Sequence, residues 1–261
     1  MMAGTREKVV SSFTVIKGAL VPETYTILGR WKLDASKAIN LQDLKRDNSV
    51  GARSQTWLRD LAFVISRRFD PEGRDRPLVR LAQGNCDMET WRPLLLWHMT
   101  RDEFLLRDFL VDWLFPAYDR GTYRVRTEDV IEYLASVPHR GGQTEHAWSE
   151  TTRRRVAVAL LKIATDFGLL QGTVVRRFAS PHLGELPFLY LLHAVSEQEG
   201  NAQRVIECKD WRMYLMRPED VEREILRLHQ FRRLQFHRAG SLAQLDLPER
   251  SLLEFAERVI A

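Results

Sequence analysis

The stretch Trp148–Phe178, WSETTRRRVAVALLKIATDFGLLQGTVVRRF, is the part of the chain from which the fold is read. It opens on hydroxyl residues, stacks Arg153, Arg154 and Arg155, turns apolar at helical spacing and ends in a short basic segment of strand-forming residues. Ser149 suits an N-cap, because its hydroxyl accepts from an amide the first turn leaves free, and Glu150 sits where the helix dipole favours negative charge. Val156, Leu160, Ile163, Ala164 and Phe167 follow at spacings of four, three, one and three, so they share one helix face and must point into a core. At about 100° per residue the opposite face carries Thr151, Arg155, Val158 and Lys162.

Gly168 ends that helix. Thr173, Val174 and Val175 then favour strand, with Arg176 and Arg177 at its end. A shorter helix, a longer one and a hairpin in that order is the layout of a winged helix-turn-helix, whose second helix enters the major groove. From Ala147 to Phe178 there are six basic residues and two acidic ones, an excess equal to the net charge of +4 of the whole chain. Thr151, Arg154, Arg155, Lys162, Arg176 and Arg177 are therefore candidate contacts to double-stranded DNA. The competing reading is the solvated face of a helix in an all-helical domain, with Arg153 lying along the apolar side.

Other basic clusters divide by their acidic company. RRFDPEGRDRP (67–77) interleaves Arg67, Arg68, Arg74 and Arg76 with Asp70, Glu72 and Asp75, which points to internal ion pairs in a structured turn. LRLHQFRRLQFHRAG (226–240) carries Arg227, Arg232, Arg233 and Arg238 with no acid. Its alternation around Ala239–Gly240 reads as a second basic hairpin, so Arg232 and Arg233 join the candidate DNA contacts, with a strand pair solvated on one face as the alternative. Two separated basic hairpins suit backbone contacts across more than one turn of duplex.

The rest of the chain is mostly helix between Gly and Pro punctuation. Pro22, Ser36 and Ser54 mark helix starts, and Thr100 with Glu103 forms a capping-box pattern ahead of Phe104. Thr127 is placed at the cap of the short helix that precedes the quoted stretch. A glycine-rich loop around Gly141 and Gly142 is the candidate boundary between an N-terminal helical region, 1–138, and a C-terminal region with basic hairpins, 139–261; a loop inside one compact unit fits equally. With 44% hydrophobic and 28% charged residues the composition is that of a globular chain with a real core.

The chemistry-bearing patterns are sparse. Cys86 and Cys208 stand far apart in no metal-like spacing, which fits a reducing cytoplasm and two buried small hydrophobic side chains. The histidines, His98, His139, His146, His182, His193, His229 and His237, show no ligand spacing, and there is no phosphate loop, dinucleotide fingerprint or nucleophile elbow. No apolar run approaches the roughly 20 residues that span a bilayer. The expectation is a non-enzymatic, cofactor-free and metal-free cytoplasmic protein. Trp91, Trp97, Trp113 and Trp148 are either core or anchors of a protein interface.

Four blocks, KGALVPETYTILGRW (17–31), NSVGARSQTWLRDLAFVISRRFDPEGRDRPLVRLAQ (48–83), PLLLWHMTRDEFLLRDFLVDWLF (93–115) and WSETTRRRVAVALLKIATDFGLLQG (148–172), resemble the BrxA family, a small component of bacteriophage-exclusion (BREX) defence systems. The resemblance implies a mainly α-helical bundle, similar to the antitermination protein NusB, and an accessory DNA-binding role beside the system's methyltransferase and ATPase. It implies no catalytic motif and names no DNA-contacting surface. A protein-interaction scaffold within the defence complex is the alternative function.

Overall fold

In the computed structural model, which describes residues 10–140, 142, 147–180, 182–240 and 242–260, helix starts fall where short polar side chains stand. The first stretch runs through α1 (Ser12–Ile16), α2 (Val21–Gly29), α3 (Lys37–Asp47), α4 (Gln55–Arg68), α5 (Arg76–Gln83) and α6 (Met88–Met99). Ser11, Ser36, Ser54 and Asp87 each accept a first-turn amide of the helix that follows, and Pro22 enters α2 where its missing amide costs nothing. Next come α7 (Phe104–Asp108) and α8 (Phe115–Asp119), joined into one rod by a wide π turn over Phe109–Leu114. Pro116 sits just past that turn, where its ring and missing amide displace the carbonyl one turn back.

The quoted stretch is built on α9 (Thr127–Ser136), α10 (Glu150–Asp166), β1 (Leu170–Gln171) and β2 (Arg177–Phe178). The chain closes through α11 (Glu185–Glu199), α12 (Ala202–Glu207), a 3-10 turn at Lys209–Tyr214, α13 (Pro218–Gln230), the hairpin β3 (Gln235–Ala239) and β4 (Leu242–Asp246), and α14 (Leu252–Ile260). The fold is mainly α with two small antiparallel hairpins, as the sequence predicts. α14 returns to pack on α5 and α11, and one connected set of buried side chains runs from Val10 to Ala256, with residues from both sides of position 138. Gly141 and His146 lie outside the described residues.

Three buried polar groups pin this core. The first replaces an expected cap. Glu103 is 3% exposed and accepts from Arg68 Nε at 3.0 Å and from Thr14 Oγ1 at 3.0 Å. Arg68 also donates to the carbonyls of Gly18 (2.9 Å) and Thr14 (2.7 Å). A buried guanidinium outcompetes a helix terminus for a carboxylate, so α7 starts without a side-chain cap and Thr100 donates to the Trp97 carbonyl instead. A smaller, local shift occurs at α9, whose cap is Arg126, its amide held by Asp129, with Thr127 one residue inside. The second group is Asp210, which accepts from Arg101, Arg107 and Trp97 Nε1 and fastens the 3-10 turn to α6 and α7.

The third is a fully buried chain joining the turn before α5 to α6 and α11. His98 donates Nδ1–H to Asp75 (2.6 Å), and its Nε2 accepts from the Tyr190 hydroxyl (2.7 Å). Arg74 pairs with Asp75 and, at 2.8 Å, with Asp102, so the 67–77 turn holds the internal ion pairs expected of it. Burial pulls the His98 pKa below its ordinary value, more than Asp75 raises it. For Asp75 burial acts upward, and the bonds from His98 and Arg74 outweigh it, leaving its pKa low. Below about pH 6.5 the unfolded chain takes up a proton that folded His98 refuses, so stability is complete above that pH and lost on acidification. The melting temperature is expected to fall between pH 7 and 5.5, with a shallower fall in His98→Gln; buried His193, also lowered by burial, supplies the remainder. A melting temperature that rises on acidification would mean the ring is protonated in the fold.

Candidate nucleic-acid interface

α10 divides its faces as its spacing predicts. Val156, Leu160, Ile163 and Ala164 are buried to 1% exposure or less. Ala157, Ala159 and Leu161 are buried as well, because α9 packs on one flank and α1 on another. What remains for solvent is a narrow strip of Thr151, Arg154, Arg155, Val158 and Lys162, all exposed. Ser149 caps the helix by accepting from the Thr152 amide at 3.2 Å.

The electrostatics of the strip are graded. Arg154 reaches Glu128 of α9 at 3.4 Å, with both side chains more than 60% exposed, and Lys162 pairs with Asp166 at 2.8 Å one turn on. Exposed pairs of this kind contribute about 0–1 kcal/mol, so a phosphate can displace either carboxylate. Arg155 has no ion-pair partner among the described residues.

Beyond α10 the chain turns back sharply at Gly172, whose φ of +101° and whose closeness to the Val175 carbonyl (2.6 Å from an added Cβ) leave no room for a side chain. β1 and β2 pair Leu170 with Phe178 and Gln171 with Arg177. On the other side Arg176 pairs with Val125, each amide bonded to the other's carbonyl at 2.9 and 3.1 Å. The segment ending at Phe178 thus pairs with β1 on one side and, through the single Val125 bridge, on the other, and its side chains alternate between two faces. Arg176 turns inward with Val125: it is 8% exposed, its Nε has no hydrogen-bond partner among the described residues, and burial lowers its pKa. It leaves the set of candidate contacts, because a one-residue alternation puts it on the core side. Arg177 turns outward and lies 4.8 Å from the ring of Tyr123.

The second helix-helix-hairpin stretch differs in charge. α13 carries Glu219, Asp220, Glu222 and Glu224. Arg227 pairs with Glu224 and Glu185, Arg238 with Glu222, and Arg233 with Glu185 at 2.8 Å. Arg233 is thus held by a carboxylate from α11, forty-eight positions earlier, which inspection of 226–240 alone does not reveal. Arg232 is exposed at a backbone φ of +58°, just past the end of α13. The two hairpins are alike in pattern and unlike in field.

Trp91 and Trp97 are core residues, at 0% and 3% exposure, while Trp113 and Trp148 are half-buried. The exposed aromatic side chains among the described residues are others: Phe13 and Phe63, in edge contact at 5.4 Å, Tyr123 and Phe231. Burial pushes the thiol pKa values of Cys86 and Cys208 up to about 12 each. Among the described residues no group of three His, Cys, Asp or Glu side chains is placed to hold a metal ion, and no helix is long and apolar enough to cross a membrane.

Comparison with known proteins adds a fold relative and a family. A crystal structure of an uncharacterized protein from Magnetospirillum magneticum is similar at a TM-score of 0.61 over 79% of this chain and 99% of that one, with 16% sequence identity, a likeness of fold alone. No curated protein matches the sequence. Residues 11–193 match the model of the BrxA family, a span that takes in α1 to α10 and the first hairpin. The chain accordingly belongs to the BrxA family of BREX-associated proteins.

Proposed function

We propose that this chain is a non-enzymatic, cytoplasmic double-stranded DNA-binding component of a BREX system, acting beside its methyltransferase and ATPase, and that it holds duplex mainly by phosphates with little base preference. The observation that carries this reading is the exposed strip of α10, with Thr151, Arg154, Arg155 and Lys162 on the one face that neighbours leave open. The order of rod (α7–α8), strand residue Val125, α9, α10 and hairpin supports a winged helix-turn-helix, with α10 as the groove helix and the 172–176 turn as the wing.

A fluorescent duplex titrated over a range of salt tests it. Four phosphate contacts, from Arg154, Arg155, Lys162 and Arg177, give a slope of about −3 to −4 in log affinity against log salt. Two unrelated duplex sequences are expected to bind alike. An affinity indifferent to salt rejects the mechanism.

A protein-interaction role is the second reading, favoured by a cleft of about 810 Å³ between α6, α11 and α13. Its lining carries Asp87, Glu89, Glu185, Asp220 and Glu224 against Arg92 and Arg223. That balance repels DNA and suits a basic protein segment. Co-purification of other system components after nuclease digestion supports this reading, and loss of all of them counts against it.

A further inference from the structure

Two arginines from distant parts of the chain line one recess beside the first hairpin. Val125 and Arg176 exchange both backbone bonds, and this single bridge brings the chain at Arg124 next to the segment that carries Arg177. Gln171 faces Arg177 from the other side. Gln171, Arg177 and Arg124, with Gly172 and Val175, line a shallow open recess. The guanidinium carbons of Arg124 and Arg177 lie 5.4 and 4.8 Å from the centre of the same Tyr123 ring.

Like charges that line one recess repel each other. Proteins ordinarily relieve such a pair with a carboxylate, as Glu185 does for Arg233 and Arg227. Neither Arg124 nor Arg177 has an ion-pair partner among the described residues, and both are exposed. The Tyr123 ring lies against both and limits their rotamers. Two guanidinium forks and an amide lining one recess supply the donors that the oxygens of one tetrahedral diester accept from.

We infer that Arg124, Arg177 and Gln171 form a clamp for a single backbone phosphate of nucleic acid, with Tyr123 as its positioning residue. The clamp rests on the DNA-binding reading and adds a site at the hairpin, separate from α10. Its signature is sharing. Because both arginines serve one phosphate, Arg124→Gln, Arg177→Gln and the double variant are each expected to reduce the salt slope by the same amount, about 0.9. Affinity at 0.1 M salt is expected to fall about 5- to 10-fold in each, and the double variant is no worse than about twofold below the worse single. Far-UV dichroism and melting, unchanged for exposed side chains, confirm that the variants fold.

Additive slope losses, about 1.8 in the double variant, overturn the shared clamp, since they mean two independent contacts. Unchanged slope and affinity also overturn it, while the loss caused by substitutions on α10 leaves the DNA-binding reading standing. If the unaltered chain binds no duplex, that reading falls, and inorganic phosphate decides the clamp. A rise in melting temperature with phosphate that is larger in the unaltered chain than in the double variant supports an anion site; equal rises reject it.

Discussion

Reversing the charge at Arg154 and Arg155 together (R154E/R155E) is expected to weaken binding to any duplex by about 100-fold at 0.1 M salt, and to cut the salt slope by roughly two. Both side chains are exposed near the start of α10, and nothing buried depends on them. Arg155 is the stronger of the two, because it has no carboxylate to leave, whereas Arg154 must give up Glu128. The reversal replaces two attractions with two repulsions against the same polyanion, so its effect exceeds that of two alanines. R232E/R233E is the control. Arg233 is neutralised by Glu185 and neither residue lies on α10, so that variant is expected to change affinity by less than about threefold. Equal losses in the two variants would show that the second hairpin shares the duplex and that α10 is not the principal face.

The largest effect on stability is expected at Arg68. Arg68→Met leaves the Glu103 carboxylate buried at 3% exposure with only the Thr14 hydroxyl beside it, and strips the Gly18 and Thr14 carbonyls of their donor. Breaking a buried ion pair from one side costs about 3–5 kcal/mol. For a chain of this size that is a fall in melting temperature of about 10 °C, at 2–4 °C per kcal/mol. Burial already lowers the Arg68 pKa, more than Glu103 raises it, so the pair is held together against desolvation. Removing both charges in R68M/E103L is therefore expected to recover most of the loss, because no orphaned ion remains. Differential scanning calorimetry of the three proteins at pH 7 measures this, and a double variant no better than the single would show that the hydrogen bonds to the α1 region, rather than the charge, carry the stability. DNA affinity of R68M at 15 °C is expected to be unaffected, since Arg68 is far inside the fold.

Much of the fold is legible in local pattern. The caps at Ser36, Ser54 and Ser149 follow from a hydroxyl followed by helix formers, and the division of α10 into a buried and an open face follows from spacing alone. The hairpin at Ala239–Gly240 is read from its turn residues, since Gly240 takes a φ of +61°. Apart from the one-residue shift of the cap at Thr127, the departures involve partners distant in sequence. Glu103 reads as a cap until Arg68, thirty-five positions earlier, claims it. Arg233 reads as free until Glu185 meets it, and Arg124 carries no signal at all until Val125 is seen to pair with Arg176.

By itself the sequence determined where helices begin and end, which face of each is apolar, and that positive charge gathers between Arg153 and Arg177. Those properties depend on neighbours within a turn or two along the chain, where backbone geometry is fixed by residue type. Only the tertiary structure decided which of those charges reach solvent. Alternation about the Val125–Arg176 pair sends Arg176 inward and Arg177 outward, and carboxylates from other helices neutralise the second hairpin while leaving Arg155 and Arg177 unpaired among the described residues. Charge is a property of a residue, but its field in water depends on what the fold sets within a few ångströms of it, and that is settled by contacts between segments the sequence keeps far apart.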